Sequence, residues 1–423
     1  MTLFALADAN NFYASCETVF RPDLRGKPVC VVSNNDGCVI ARSAEAKKLG
    51  IKMAAPLFLN DKFFRDNGVH IFSSNYELYG DMSARMMAIL GEMAAGQEVY
   101  SIDESFLDLT GIGNLVPLEI FGQQMRRRVL QETGLTIGVG MAPTKTLAKL
   151  ANHAAKKWSR TQGIVDLSAT SRQRKLLQLT EVGEIWGIGQ RITLRLQTLG
   201  IHNALQLADS NISMIRKNFD VIVERTVREL NGESCLALDD APQPKQQILD
   251  SRSFGERITN PDEVQQAIMM HAARAAEKLR KQNSRCRLVN VFIATGRHGS
   301  EPRYSNTASR ISDYPTADTR DISALALQGL KSIWRDGFRY AKAGIILSDF
   351  YPSGIAQFDM FSEQQPRANA DELMAVLDSI NMAGKGSIYF AGQGERNSAW
   401  QMKRNMLSPR YTTRFKDIPV ISG

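Results

Sequence analysis

The chain has 423 residues, 43% hydrophobic and 23% charged, a composition that excludes a largely disordered protein and predicts about two to four domains. Lys and Arg number 52 against 44 Asp and Glu, a formal net charge of +8 that favours a polyanionic partner. No apolar run approaches the roughly 20 residues that span a bilayer, and Asp8 interrupts an N-terminal run without a basic start, so neither a membrane span nor a signal peptide is expected. The five cysteines, Cys16, Cys30, Cys38, Cys235 and Cys286, show no paired spacing. They predict small buried side chains in a reducing, cytoplasmic compartment rather than a disulfide framework or a zinc knuckle.

In chain order, residues 3–7 form a short apolar run closed by Asp8, the pattern of a buried strand with a carboxylate at its end. A helix is expected over 10–19, a β-branched strand over 28–33, an Ala- and Lys-rich helix over 39–49 stopped by Gly50, and a helix over 76–92. Residues 99–102 and 106–109 are strand-like, and Asp103-Glu104-Ser105 lies between them as the polar tip of a hairpin. A helix over 118–133, a strand over 135–140 and a helix over 144–157 with a basic end follow. Short helices cluster over 176–208 around Gly187-Ile188-Gly189. Residues 239–246, with two prolines and no periodicity, read as a linker. Beyond it come a strand near 251–258, a helix over 262–282, a strand over 287–295, a helix over 320–334 and a strand over 343–350. A Gln-, Gly- and Asn-rich stretch then carries one helical segment at 371–381.

Two features carry chemistry. Asp8, Asp103 and Glu104 meet at one sheet edge if the hairpin pairs beside the first strand. Clustered carboxylates need cations, and hard oxygen donors suit Mg²⁺. On spacing alone, acids at turns are more often plain turn residues. Between residues 274 and 310 lie nine basic side chains and two acidic ones, a net +7 close to the excess of the whole chain. Such a concentration suggests a surface that tracks phosphates, the alternative being a solvated basic face. Gly140-Met141-Ala142-Pro143-Thr144-Lys145-Thr146 lacks the glycine directly before lysine that a P-loop cradle requires, which argues against a P-loop ATPase.

Asp8-Ala9-Asn10-Asn11-Phe12-Tyr13, followed by Ser101-Ile102-Asp103-Glu104, resembles the Y-family (translesion) DNA polymerases. The similarity runs over nearly the whole chain and extends to Ser73-Ser74-Asn75-Tyr76-Glu77, to Ser251-Arg252-Ser253-Phe254-Gly255-Glu256-Arg257 and to Met406-Leu407-Ser408-Pro409-Arg410-Tyr411. It is greatest with the UmuC-type branch, which carries such a C-terminal tail. The resemblance implies an α+β multidomain, right-hand polymerase fold: a palm from 1–20 and 75–165, small fingers from 21–74, and a helical thumb from 166–238 with a helix–hairpin–helix. The 239–246 linker, a little finger from 247–352, and a clamp-binding peptide with a tail from 353–423 complete it. It implies template-directed, low-fidelity synthesis past damaged bases in the SOS response, using two Mg²⁺ ions.

By the same resemblance, Asp8, Asp103 and Glu104 are the catalytic carboxylates and, with the Ala9 carbonyl, the metal ligands. Tyr13 is the steric gate beneath the incoming sugar, its alternative being a core tyrosine. Lys47 and Lys156 would reach the triphosphate, helped by Arg42, since Ala44 stands where the family commonly has tyrosine and Lys47 where it has the forked arginine. Gly187 and Gly189 would let backbone N–H groups approach a DNA phosphate, or form an ordinary tight turn. Arg252, Arg285 and Arg287 would grip the duplex. Gln357, Phe358, Met360 and Phe361 resemble the peptide that docks in the sliding clamp. Primer–template DNA, deoxynucleoside triphosphates, the clamp, a UmuD′ dimer and a RecA filament are the implied partners, near the nucleoid. The competing readings are a Mg²⁺-dependent nuclease or cyclase on a similar palm and a catalytically silent DNA-binding scaffold recruited to the clamp.

Overall fold

A computed structural model describes residues 2–239, 244–298, 300–353, 365–384, 388–395 and 400–418. They form two compact units, one from 2–33, 37–239 and 406–418, the other from 34–36 and 244–405.

The first unit is built on a five-stranded sheet in the order Gly96–Val99, Glu104–Asp108, Phe4–Ala9, Ile137–Ala142, Ile164–Asp166. Its pairings are antiparallel except the last. Phe4–Ala9 lies at the centre with apolar, almost wholly buried side chains, so its one acid, Asp8, comes at the end where the sheet opens. The helix Lys145–Lys157 crosses the sheet so closely that a Cβ on Gly140 would lie 2.1 Å from the Asn152 nitrogen. Glycine is required there by contact, not by a turn. Thr144 caps this helix, accepting from the Leu147 N–H at 3.2 Å. Its Leu147, Ala148, Ala151 and Ala154 join the core shared with the helices of residues 170–230.

A smaller sheet, Val29–Val32 between Val39–Arg42 and His70–Ser73, lies in the same unit. Residues 39–42 are therefore a strand where a helix was expected. Val39, Ala41 and Arg42 pair with the preceding strand, Ile40 falling at a register shift, and the helix begins only at Ala44, behind the Ser43 cap. The hairpin also differs from expectation: it turns at 100–103, and Glu104 is the first residue of its second strand rather than a tip residue.

Glu17, on the helix Phe12–Val19, is fully buried. It accepts from the Tyr79 hydroxyl at 2.6 Å and the Ser408 hydroxyl at 3.0 Å. Burial outweighs both hydrogen bonds and pushes its pKa from 4.5 up to about 7. A native pKa above the unfolded one means that stability is greatest below about pH 4.5 and falls as pH rises through 7. Glu17→Gln keeps an acceptor for both hydroxyls and removes the ionisation. Between pH 5 and 8 the variant should lose about 2 kcal/mol less stability than the parent, read by thermal unfolding at each pH. An unchanged pH dependence would show that Glu17 titrates normally.

The second unit has an antiparallel sheet in the order Ser305–Thr316, Ser284–Thr295, Tyr340–Pro352, Ile248–Ile258. The helices Pro261–Lys281 and Thr319–Ile333 cover one face, over Val289, Val291, Ile293, Ala343 and Ile345. Alternation then places Ser251, Ser253, Asn290, Thr307, Ser309 and Lys342 on the opposite face. The basic run at 274–310 does not make one surface. Arg280 is held by Asp378 at 2.7 Å and Arg285 by Asp371 at 2.5 Å, both from the helix Ala370–Gly384. Lys278 pairs with Asp250, and Lys281 with Glu277 one turn back. Net charge along the sequence overstated the free charge, because acids far downstream fold back onto the run.

Candidate active site

The acids are brought together by register. Asp8 lies directly opposite Glu104 in the antiparallel pair, and the Ala9 N–H donates to the Asp103 carbonyl at 2.9 Å. Ser101 fixes the approach to the strand. Its hydroxyl accepts from the N–H groups of Asp103 and Glu104 at 3.2 and 3.1 Å and donates to Asp103 Oδ1 at 2.7 Å.

A cavity of about 320 Å³ opens beside them. Asp8, Ala9, Tyr13, Arg42, Lys47, Asp103 and Lys156 all line it; Glu104 lines an adjoining cavity of about 190 Å³ that shares Asp8 and Lys156. Lys156 pairs with Asp8, crossing over Gly138, where a Cβ would stand 3.2 Å from its chain. Lys47 donates to Asn11 Oδ1 at 2.5 Å, and Arg42 to the Ile51 carbonyl. Burial, then the cations of Arg42 and Lys156, lower the Lys47 pKa. Three cations crowding one cavity favour an anionic guest. Asp8 shows the opposite need. Burial raises its pKa to about 7 against the pull of Lys156, with Glu104 adding to the rise. A carboxylate short of positive charge, beside two more hard oxygen donors, fits a divalent cation. Among the described residues no three such side chains already form a metal cage; two of the carboxylates are held by lysines.

Tyr13 stacks on Tyr79 with centroids 4.5 Å apart and meets Tyr76 edge-on at 6.0 Å. Its ring is half-buried and faces the cavity. Sequence reasoning missed Lys149, which pairs with Glu104 at 2.9 Å while its ammonium lies over the Tyr100 and Trp186 rings. The available signal was its spacing of seven from Lys156, which puts both lysines on one helix face. Asn11, in the left-handed conformation at φ 52°, was also missed.

Gly187 and Gly189 are exposed on either side of the buried Ile188, with nothing near the place of a Cβ. Gly187 has φ 85°, so the turn itself requires glycine. Arg252 is exposed, donating to the Ser251 carbonyl; Arg287 donates to the Ser312 carbonyl at 3.2 Å. With Arg285 bound to Asp371, these three are unequal candidates for a phosphate. Gln357, Phe358, Met360 and Phe361 lie outside the described residues. Among the described residues no helix is long and apolar enough to cross a membrane.

A central sheet with carboxylates at its edge, a small second sheet, a helical cluster and a separate four-stranded sheet define a right-hand polymerase of the Y-family fold. A solved Y-family DNA polymerase chimera, Dbh-Dpo4(243-245)-Dbh, superposes with a TM-score of 0.65 at 20% identity, covering 83% of this chain and 99% of its own. The chain belongs to the impB/mucB/samB family. Residues 7–153 match that family's model, 245–360 its C-terminal domain, and 371–421 a domain described only as of unknown function. Protein ImpB of Salmonella typhimurium is 56% identical over 99% of both chains. Protein UmuC of Salmonella typhimurium strain LT2 is 56% identical over 98% of this chain and 99% of its own.

Proposed function

We infer that the chain is a DNA-directed DNA polymerase that copies past damaged bases with low fidelity. The observation that carries this is a single cavity in which two carboxylates, three cations and a tyrosine ring face one another. A deoxynucleoside triphosphate needs all three kinds of group.

In this reading the phosphates lie along Lys156, Lys47 and Arg42, and the sugar lies over Tyr13. Asp8, Asp103, Glu104 and the Ala9 carbonyl would hold two Mg²⁺ ions, which lower the pKa of the primer 3′-hydroxyl and neutralise the charge that builds on the α-phosphate and the departing pyrophosphate. Ser101 keeps Asp103 aimed at the cavity. When phosphates arrive, Lys156 and Lys149 are free to turn from the carboxylates to the new anions.

The proposed contacts to primer–template DNA are, in the first unit, the glycine turn at 187–189 and, in the second unit, its Ser-, Thr- and Asn-bearing sheet face. Those short side chains and backbone groups suit contact with phosphates of any sequence. We assign 1–20 and 75–165 to a palm, 21–74 to fingers, 166–238 to a thumb and 247–352 to a little finger. Residues 357–361 are the proposed clamp peptide, and the tail is the proposed meeting place with a UmuD′ dimer and a RecA filament, placing the enzyme in the damage response. A nuclease or cyclase would have no use for a ring beneath a sugar.

The test supplies purified chain with Mg²⁺, a primed template and single nucleotides in turn. Each templating base should direct addition of its complement above the others, and no addition should occur without the divalent ion. Degradation of the primer, or addition regardless of template, would contradict the reading.

A further inference from the structure

The segment 406–411 belongs to the family model described only as a domain of unknown function, yet it is built into the first unit. Its backbone pairs with Ser73: the Ser73 N–H donates to the Met406 carbonyl, and the Met406 N–H to the Ser73 hydroxyl, both at 3.0 Å. The Asn75 amide donates to the Ser408 carbonyl and hydroxyl, each at 3.0 Å, and to the Pro409 carbonyl at 3.2 Å. Asn75 also caps the helix Tyr76–Gly91, accepting from the Leu78 N–H. Arg410 pairs with Glu77 in that helix's first turn at 3.2 Å.

The same turn carries Tyr76 and Tyr79, the two rings against Tyr13. The buried Ser408 hydroxyl and the Tyr79 hydroxyl share one oxygen of Glu17, which stands one turn along the helix that carries Tyr13. Tyr411 stacks on Phe20, at the end of that helix, with centroids 4.7 Å apart. The tail therefore clasps both the helix that places Tyr13 in the cavity wall and the helix whose Tyr76 and Tyr79 pack against that ring.

We propose that residues 406–411 are a positioning element for nucleotide selection, acting through Ser408, Glu17 and Tyr79 to hold Tyr13 at the height that separates deoxyribose from ribose. The proposal rests on Tyr13 being the sugar gate. Loosening the clasp lets the Tyr13–Tyr79 stack settle. A ribonucleotide then gains room while a deoxynucleotide, which never met the ring edge, is unaffected.

The test measures single-nucleotide kcat/KM for dNTP and rNTP with the full chain carrying Ser408→Ala, Tyr79→Phe or both, with Tyr13→Ala alongside. Ser408→Ala and Tyr79→Phe should each raise rNTP kcat/KM by roughly three- to ten-fold, the worth of one hydrogen bond, and leave the dNTP value within about two-fold. The double variant should exceed neither single by much, because both act through Glu17. A fall in both substrates together would mark a structural brace only and overturn the proposal. So would unchanged discrimination in both variants while Tyr13→Ala relaxes it. No relaxation in Tyr13→Ala would instead remove the gate reading itself. If Ser408→Ala does not fold, Tyr79→Phe alone decides, since it deletes one hydroxyl and keeps the ring.

Discussion

Asp103→Ala should lower nucleotide incorporation by at least about 10³-fold, equivalent to roughly 4 kcal/mol of lost transition-state stabilisation, while primer–template affinity stays within about two-fold. Among the described residues the side chain is held by the Ser101 hydroxyl alone, and the backbone contact from the Ala9 N–H to the Asp103 carbonyl survives the substitution. The strand pairing that carries Asp8 and Glu104 is therefore kept, and the loss would be chemical. Single-turnover incorporation at saturating nucleotide checks it, beside a binding titration of the same primed DNA. Incorporation at a near parental rate would remove Asp103 from the catalytic set.

Tyr13→Ala should raise ribonucleotide incorporation by about 10²-fold, the size expected when a clash worth roughly 1–3 kcal/mol is relieved. The stack on Tyr79 ends with the ring, but Tyr79 itself is anchored by Glu17, so the helix Tyr76–Gly91 should stay in place. Tyr13→Phe keeps the ring and loses only the hydroxyl, so it should discriminate as the parent does. The ratio of kcat/KM for dNTP and rNTP reads both. No rise in rNTP use by Tyr13→Ala would return this tyrosine to a packing role.

Much of this arrangement was legible in the sequence because it is written locally. An apolar run ending in Asp8 reads as a buried strand opening at an acid, and Tyr13 falls in the first turn of the next helix, on the side that faces the cavity. What was lost depends on partners far along the chain. Residues 39–42 carry strand-forming side chains beside an Ala- and Lys-rich stretch, and only pairing with Val29–Val32 decides between strand and helix. The strand Ser305–Thr316 was missed because it lies at a sheet edge, its outward paired positions apart from Ile311 are Ser and Thr, and it has little apolar alternation to detect. Arg280 and Arg285 looked like free cations until Asp378 and Asp371, 98 and 86 residues on, closed over them. The Ser408 contact with Glu17 spans 391 residues and leaves no local trace. Lys149 was within reach of helical spacing, but its value lies in the carboxylate across from it.

In the proposed reaction the carboxylates where the central strands end drive template-directed synthesis that tolerates damage. Primer extension tests it most directly, with the full chain, Mg²⁺ and the sliding clamp on matched templates with and without one abasic site, and Asp103→Ala as the control. A UmuD′ dimer and a RecA filament are added in a second arm. Extension should pass the abasic site in at least one arm and be abolished by Asp103→Ala in both. No extension in either arm, with primed DNA still bound, would contradict it and leave a silent DNA-binding scaffold in its place.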